Sequence, residues 1–209
     1  MTSEHAATMD AHWGGGVSPF ATTWQKTMMW IFIVTDGLLF SGLLCGYGYL
    51  RMASQTAWPK QSAVFQIWFI AMMTFILITS SMTMGTAVTA ARLGDRKKAL
   101  ANLVYTIVGG LCFLGCQAYE WTKLIHEGLS LTHNPFPHGV GGSPQFGQAF
   151  FVLTGFHGSH VFSGLVILIV TAIRTSMGKT PAQGVEMAGL YWHFVDLVWV
   201  FNFTLFYLL

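Results

Sequence analysis

The fold class this sequence predicts is an all-α integral membrane bundle of five transmembrane helices, and three observations carry that prediction. Of 209 residues, 53% are hydrophobic and 9% charged, with a mean hydropathy of +0.54, too few charges to coat a water-soluble globule of this size. The apolar residues gather into five stretches, roughly 27–50, 64–91, 100–125, 146–173 and 187–209, each long enough for the about 20 residues that cross a hydrocarbon core of about 30 Å. The longest segment outside them is the 26-residue tail, well short of the roughly 50 residues that a domain with its own core requires.

Residues 1–26 form an N-terminal tail with Glu4, His5, Asp10, His12 and the run Gly14-Gly15-Gly16. It has no basic n-region and no short apolar stretch before a small-residue cleavage site, so the first span itself is expected to direct insertion. That span carries Asp36, set beside Gly37, Ser41 and Gly42. The second ends in the charged connection Arg92-Leu93-Gly94-Asp95-Arg96-Lys97-Lys98, and the third holds Glu120 toward its far end. Residues 127–145 contain Pro135, Pro137 and Pro144, which predicts an irregular surface connection. The fourth span holds His157 and His160, and the fifth His193 and Asp196.

Basic residues near span ends resist translocation, so their distribution predicts orientation. With the 92–98 connection in the cytoplasm, the inner side holds Lys26, Arg92, Arg96, Lys97, Lys98, Arg174 and Lys179, against Arg51, Lys60 and Lys123 outside. Seven against three places the N-terminus in the cytoplasm and the C-terminus outside.

Several function classes fall away. A net charge of +2 is far too small for an electrostatic nucleic-acid surface, so no nucleic-acid partner is expected. Cys45, Cys112 and Cys116 lie inside apolar stretches in odd number, which reads as packing and not as a disulfide framework. There is no phosphate-cradling glycine loop, no His-Glu-x-x-His and no Cys-x-x-Cys, so catalysis by this chain alone is not expected.

What remains is a set of polar side chains inside the spans. An ionisable group in mid-bilayer is costly and must face protein, water or a partner. Asp36, Glu120, His157, His160, His193 and Asp196 are therefore the candidates for buried polar, lipid-cleft or structural roles. His157 and His160 are three apart and share a helical face, but a transition-metal site needs further converging ligands, and two histidines one turn apart on a helix cannot ligate a haem from opposite sides. Interhelical hydrogen bonding is the expected role. His193 and Asp196 repeat the spacing, and an Asp one turn from a His can orient its ring or share its proton.

Four segments then carry a resemblance. Gly94-Asp95-Arg96-Lys97, Gln117-Ala118-Tyr119-Glu120-Trp121, Gly155-Phe156-His157-Gly158-Ser159-His160-Val161 and Tyr191-Trp192-His193-Phe194-Val195-Asp196-Leu197-Val198-Trp199 together closely resemble subunit III of the haem-copper respiratory oxidases. The match covers residues 27–209 and looks like the five-helix bacterial form, lacking the first two of the seven helices of larger members. The resemblance implies a multi-pass subunit of the bacterial cytoplasmic membrane with no catalytic, cofactor or metal site of its own. It implies haem and copper on partner subunits, contacts with catalytic subunit I and with subunit II, and retained phospholipids. It also places the loop with Arg92, Asp95, Arg96 and Lys97 near the proton-uptake mouth. The family's acid in the first retained helix is often Glu after Ser, where this chain has Thr35-Asp36; the resemblance puts that acid at a lipid cleft. A proton-pumping cytochrome c oxidase is the leading expectation, with a bo-type quinol oxidase or the related subunit of a nitric oxide reductase as alternatives. An independent transporter would call for inverted repeats, which the sequence lacks.

Overall fold

The computed structural model describes residues 22–54, 58–59, 64–135 and 143–208. Most of the N-terminal tail, Lys60 and Pro137 lie outside the described residues. All regular structure in the described residues is helical: α1 Trp24–Ala53, α2 Ile67–Arg92, α3 Arg96–His126, α4 Pro144–Ser176 and α5 Ala182–Asn202, the last running on as a π-helical segment Phe203–Leu208. The five apolar stretches fall on these five helices, most of which are longer than the stretch because their ends continue among polar residues.

Four helices, α1 to α4, are long and apolar enough to cross a membrane. The fifth is set apart by burial. Eleven of its 21 residues are buried, Trp192 and Trp199 among them, and it packs against α1, α2 and α4. A helix with protein on most sides can carry Tyr, Trp, His, Asp and Asn where a lipid-facing one cannot. At the other extreme, α1 buries only Asp36, Phe40 and Tyr47, a narrow stripe at helical spacing that marks it as the outermost helix. α3 buries Ala99, Leu103, Thr106, Gly110, Phe113, Gln117, Glu120 and Leu124, a three-to-four-residue repeat that lays one continuous face on its neighbours.

Local sequence sets the turns. α2 ends in a Schellman turn, with Gly94 at φ 77° and the Asp95 N–H donating to the Ala90 carbonyl at 3.0 Å. Asp95 then caps α3 by accepting from the Lys98 N–H at 3.0 Å, worth about 1 kcal/mol. Pro144 opens α4 in the first turn, where its missing N–H costs nothing. Residues 127–135 and 143 of the expected irregular connection are irregular, but the connection ends earlier than expected, because Pro144 and Gln145 already belong to the first turn of α4. The helices alternate in direction, so Lys26, Arg92, Arg96 to Lys98, Arg174 and Lys179 gather at one end of the bundle, and Arg51 and Lys123 stand at the other.

Candidate functional site

The polar residues of the interior fall into three groups. The first joins α1 to α4. Asp36, 8% exposed, places its Oδ1 3.3 Å from the His160 Nε2. The other ring nitrogen, Nδ1, lies 2.8 Å from the Phe156 carbonyl, which can only accept, so Nδ1 carries a hydrogen. Tyr191 of α5 closes the group, its hydroxyl 2.7 Å from Ser163 Oγ and donating to the His160 carbonyl at 3.2 Å.

Asp36 thus turns toward α4 and not toward a cleft. An apolar groove of about 460 Å³ does run beside it, between α1 and α5, lined by Gly37, Ser41 and Cys45 on one side and Phe194, Leu197 and Phe201 on the other. Cys45 and Cys112 are exposed, which corrects their expected packing role: Cys45 borders the open groove and Cys112 lies off the buried face of α3.

The second group lies toward the opposite end. Glu120 Oε2 accepts from Gln117 Nε2 at 3.1 Å and from the Tyr207 hydroxyl at 3.3 Å, which fastens α3 to the π-helical end of the chain. The third is the α2–α5 seam. Trp192 Nε1 donates to Ser80 Oγ at 3.2 Å and Trp199 Nε1 to Thr74 Oγ1 at 3.0 Å. His193 Nδ1 is 2.6 Å from Ser81 Oγ. The expected His193–Asp196 pairing is replaced here: both side chains turn to Ser81 of α2, His193 from an exposed position and Asp196 from a buried one.

His157 and His160 also part company. His157 is 1% exposed, stacked on Trp199 with ring centroids 5.1 Å apart and met edge-on by Phe113 at 6.0 Å. Neither of its nitrogens has a hydrogen-bond partner among the described residues. No group of three or more His, Cys, Asp or Glu side chains among the described residues converges to hold a metal.

The charged end is built as a clasp. Glu186, just before the apolar stretch of the fifth span, accepts from Lys26 Nζ at 2.7 Å and pairs with Arg92 Nη2 at 3.0 Å, tying α1, α2 and α5 together. The Lys26 ammonium, with Arg92 behind it, holds the Glu186 carboxyl below the usual carboxylate range against the opposing effect of burial. Arg96 reaches from the start of α3 to the end of α4, donating from Nε to the Thr175 carbonyl at 2.5 Å and from Nη2 to the Ser176 carbonyl, a cation on a helix C-terminus. Gly178, at φ +71°, admits this: a Cβ there would stand 2.7 Å from Arg96 Nη1. Arg92, Asp95, Arg96 and Lys97 are all exposed.

Sequence reasoning did not find Glu186, Ser81, Ser163, Tyr191 or Tyr207 as partners of the candidates. The signal for Glu186 was present, since an acid at the first turns of a span whose neighbouring span ends are basic has a ready partner. For the hydroxyl residues there was none, because Ser and Thr are frequent in every span.

The family model for cytochrome c oxidase subunit III matches residues 6–209. A probable quinol oxidase subunit 3 of Staphylococcus saprophyticus is 32% identical over 188 residues, 88% of this chain and 89% of that protein. A probable cytochrome c oxidase subunit 3 of Mycobacterium bovis is 35% identical over 87% of this chain and 85% of its own. The quinol oxidase subunit 3 of Bacillus spizizenii is 35% identical over 86% and 84%. With five helices, four of them apolar enough to span, and that coverage, the chain is a multi-pass bacterial membrane protein that belongs to the cytochrome c oxidase subunit III family.

Proposed function

We propose that this chain is a non-redox accessory subunit of a proton-pumping haem-copper terminal oxidase, which supports assembly, lipid retention and proton uptake of the catalytic subunit. The observation that carries the reading is the family match along nearly the whole chain, joined to a polar interior that fastens helix to helix: Asp36 on His160, Glu120 on Tyr207, the Trp192 and Trp199 indoles on Ser80 and Thr74. Haem and copper belong to partner subunits in this account, catalytic subunit I and subunit II, and electrons bypass this chain.

The charged end is its cytoplasmic face, by the bias of basic residues. There Glu186 neutralises part of the charge of Lys26 and Arg92, while exposed Lys97 and Lys98 and the paired Arg96 leave a positive surface. Such a surface near an uptake mouth shapes the local potential and holds anionic headgroups in place. The apolar groove between α1 and α5 offers acyl chains a seat. The relatives carry two donor types in their names, cytochrome c and quinol, and the quinol oxidase subunits among them favour a second reading in which the complex oxidises a quinol.

Deleting this chain tests the proposal. The remaining complex should reduce oxygen, at its normal initial rate where protons are plentiful, yet lose activity faster during turnover. A fully metallated remainder with no activity at any pH would mean that this chain carries chemistry of its own.

A further inference from the structure

Among the described residues, most of the interior candidates hide their polar groups within the bundle; His193 does not. It is exposed and lies seven residues beyond the clasp residue Glu186 on α5, about 10 Å along the axis at about 1.5 Å per residue, within the apolar stretch of the fifth span. Only one side of its ring is engaged: Nδ1 meets Ser81 Oγ at 2.6 Å, and Nε2 has no partner among the described residues. The hydroxyls on other outward faces behave differently. Thr79, Ser159 and Thr35 donate to carbonyls of their own helices at 2.8, 2.7 and 2.9 Å, which makes them compatible with lipid. An imidazole cannot fold back in this way.

Two further observations lie at the same place. Asp196, 6% exposed, sits one turn away beside the same Ser81 hydroxyl, and neither of its oxygens gains a hydrogen bond of good geometry among the described residues. Gly85, one turn from Ser81 on α2, has nothing within 4 Å of where a Cβ would stand, so another backbone can approach closely. Lipid tails offer no hydrogen bond, and intramembrane ionisable side chains almost always face protein or water.

Resting on the accessory-subunit reading above, we propose that the α2–α5 face carrying Ser81, Gly85, His193 and Val200 is where a transmembrane helix of a partner subunit docks, presenting a hydrogen-bonding side chain to the His193 Nε2 edge. The groove between α1 and α5 lies on the other flank of α5 and remains open to lipid. Docking on this face gives His193 a second partner, and it seals the Ser81–Asp196 corner from the bilayer.

The test uses the intact complex in its own membrane. A photoreactive benzoylphenylalanine replaces Val200, 37% exposed, on the proposed face, or Val170, 48% exposed, on α4; after irradiation the complex is isolated through a tag on this chain and its haem measured. The proposal expects position 200 to cross-link to a different membrane polypeptide and position 170 to lipid alone. In the unirradiated complex, His193→Leu should lower the amount of this chain retained per haem in detergent by roughly three- to fifteen-fold, the range of single interhelical hydrogen bonds in membranes. His193→Gln, which keeps a polar group near the Nε2 position, should recover much of it. Lipid adducts alone from position 200, or adducts only to a second copy of this chain, overturn the docking face even where haem co-purifies. A polypeptide adduct from position 200 with no haem in the isolate leaves the face standing and overturns the accessory-subunit reading instead.

Discussion

Gly110 is where the bundle leaves no room for a methyl group, and Gly110→Ala measures how tightly α3, α4 and α5 are registered. A Cβ at that position would stand 2.6 Å from Trp192 Cη2 and 2.8 Å from Leu165 Cδ2, whereas carbon atoms in good contact are about 3.5–4.0 Å apart. The leucine methyl is at the end of a flexible side chain and can yield. The indole cannot: Trp192 is 1% exposed and its N–H is committed to Ser80. Overpacking of this kind costs about 1–3 kcal/mol, partly offset by the roughly 1 kcal/mol by which Ala exceeds Gly in a helix. Gly115 supplies the control, since it lies on the same helix with nothing within 4 Å of its Cβ position. The difference between Gly110→Ala and Gly115→Ala therefore isolates the clash, about 1–3 kcal/mol, and adding Trp192→Phe to Gly110→Ala should recover part of it. The assay is unfolding of the full chain in mild detergent with increasing dodecyl sulfate, followed by helical circular dichroism. A Gly110→Ala chain as stable as Gly115→Ala would refute the packing of α3 against α4 and α5.

Glu186 is depressed below its ordinary value of 4.5 by Lys26 first and Arg92 second, so its stabilisation is complete above the unfolded value and lost as pH falls through the folded one. Glu186→Gln should lower stability near neutrality by about 1 kcal/mol, the scale of screened ion pairs, and the gap from the unsubstituted chain should close as pH falls from above the ordinary 4.5 through the depressed folded value; a constant gap would place the stabilisation elsewhere. A cysteine in place of Lys97 should react with an impermeant thiol reagent in inside-out vesicles and not in intact cells, and the reverse pattern would invert the topology. Complexes lacking this chain, matched by haem, should match the complete ones in initial rate near about pH 6 and fall behind toward about pH 9, where protons are scarce; a deficit independent of pH would remove proton supply from the account.

The spans were legible because hydropathy over about 20 residues is a strong signal, and the polar candidates because ionisable groups inside such stretches are rare. Rotation of each helix about its axis was not legible. A helix with lipid on one side and protein on the other is apolar all round, so its sequence does not show which face is inward, and pairs such as Asp36–His160 and Ser81–His193 depend on that rotation. Spacing placed His157 and His160 on one helical face, yet one residue reached a nest of aromatic rings and the other a carboxylate on α1. Val64 and Phe65, read as the start of the second span, precede α2 and are buried, Phe65 against Phe146, Phe150 and Phe206; hydropathy registers their burial but not that they stand before the helix. The clasp at Glu186 and the Arg96 cap on α4 depend on which helix ends meet, which is a property of the assembled bundle.

The central claim is that this chain works as part of a haem-copper oxidase without holding its redox groups. A tag on this chain, purification in mild detergent and a reduced-minus-oxidised optical spectrum with metal analysis test it directly. The account predicts haem bands and copper in stoichiometric amount, borne by a larger co-purifying subunit and absent from this chain once the two are separated. A chain that purifies alone, without haem or copper and with solute transport of its own, would contradict it.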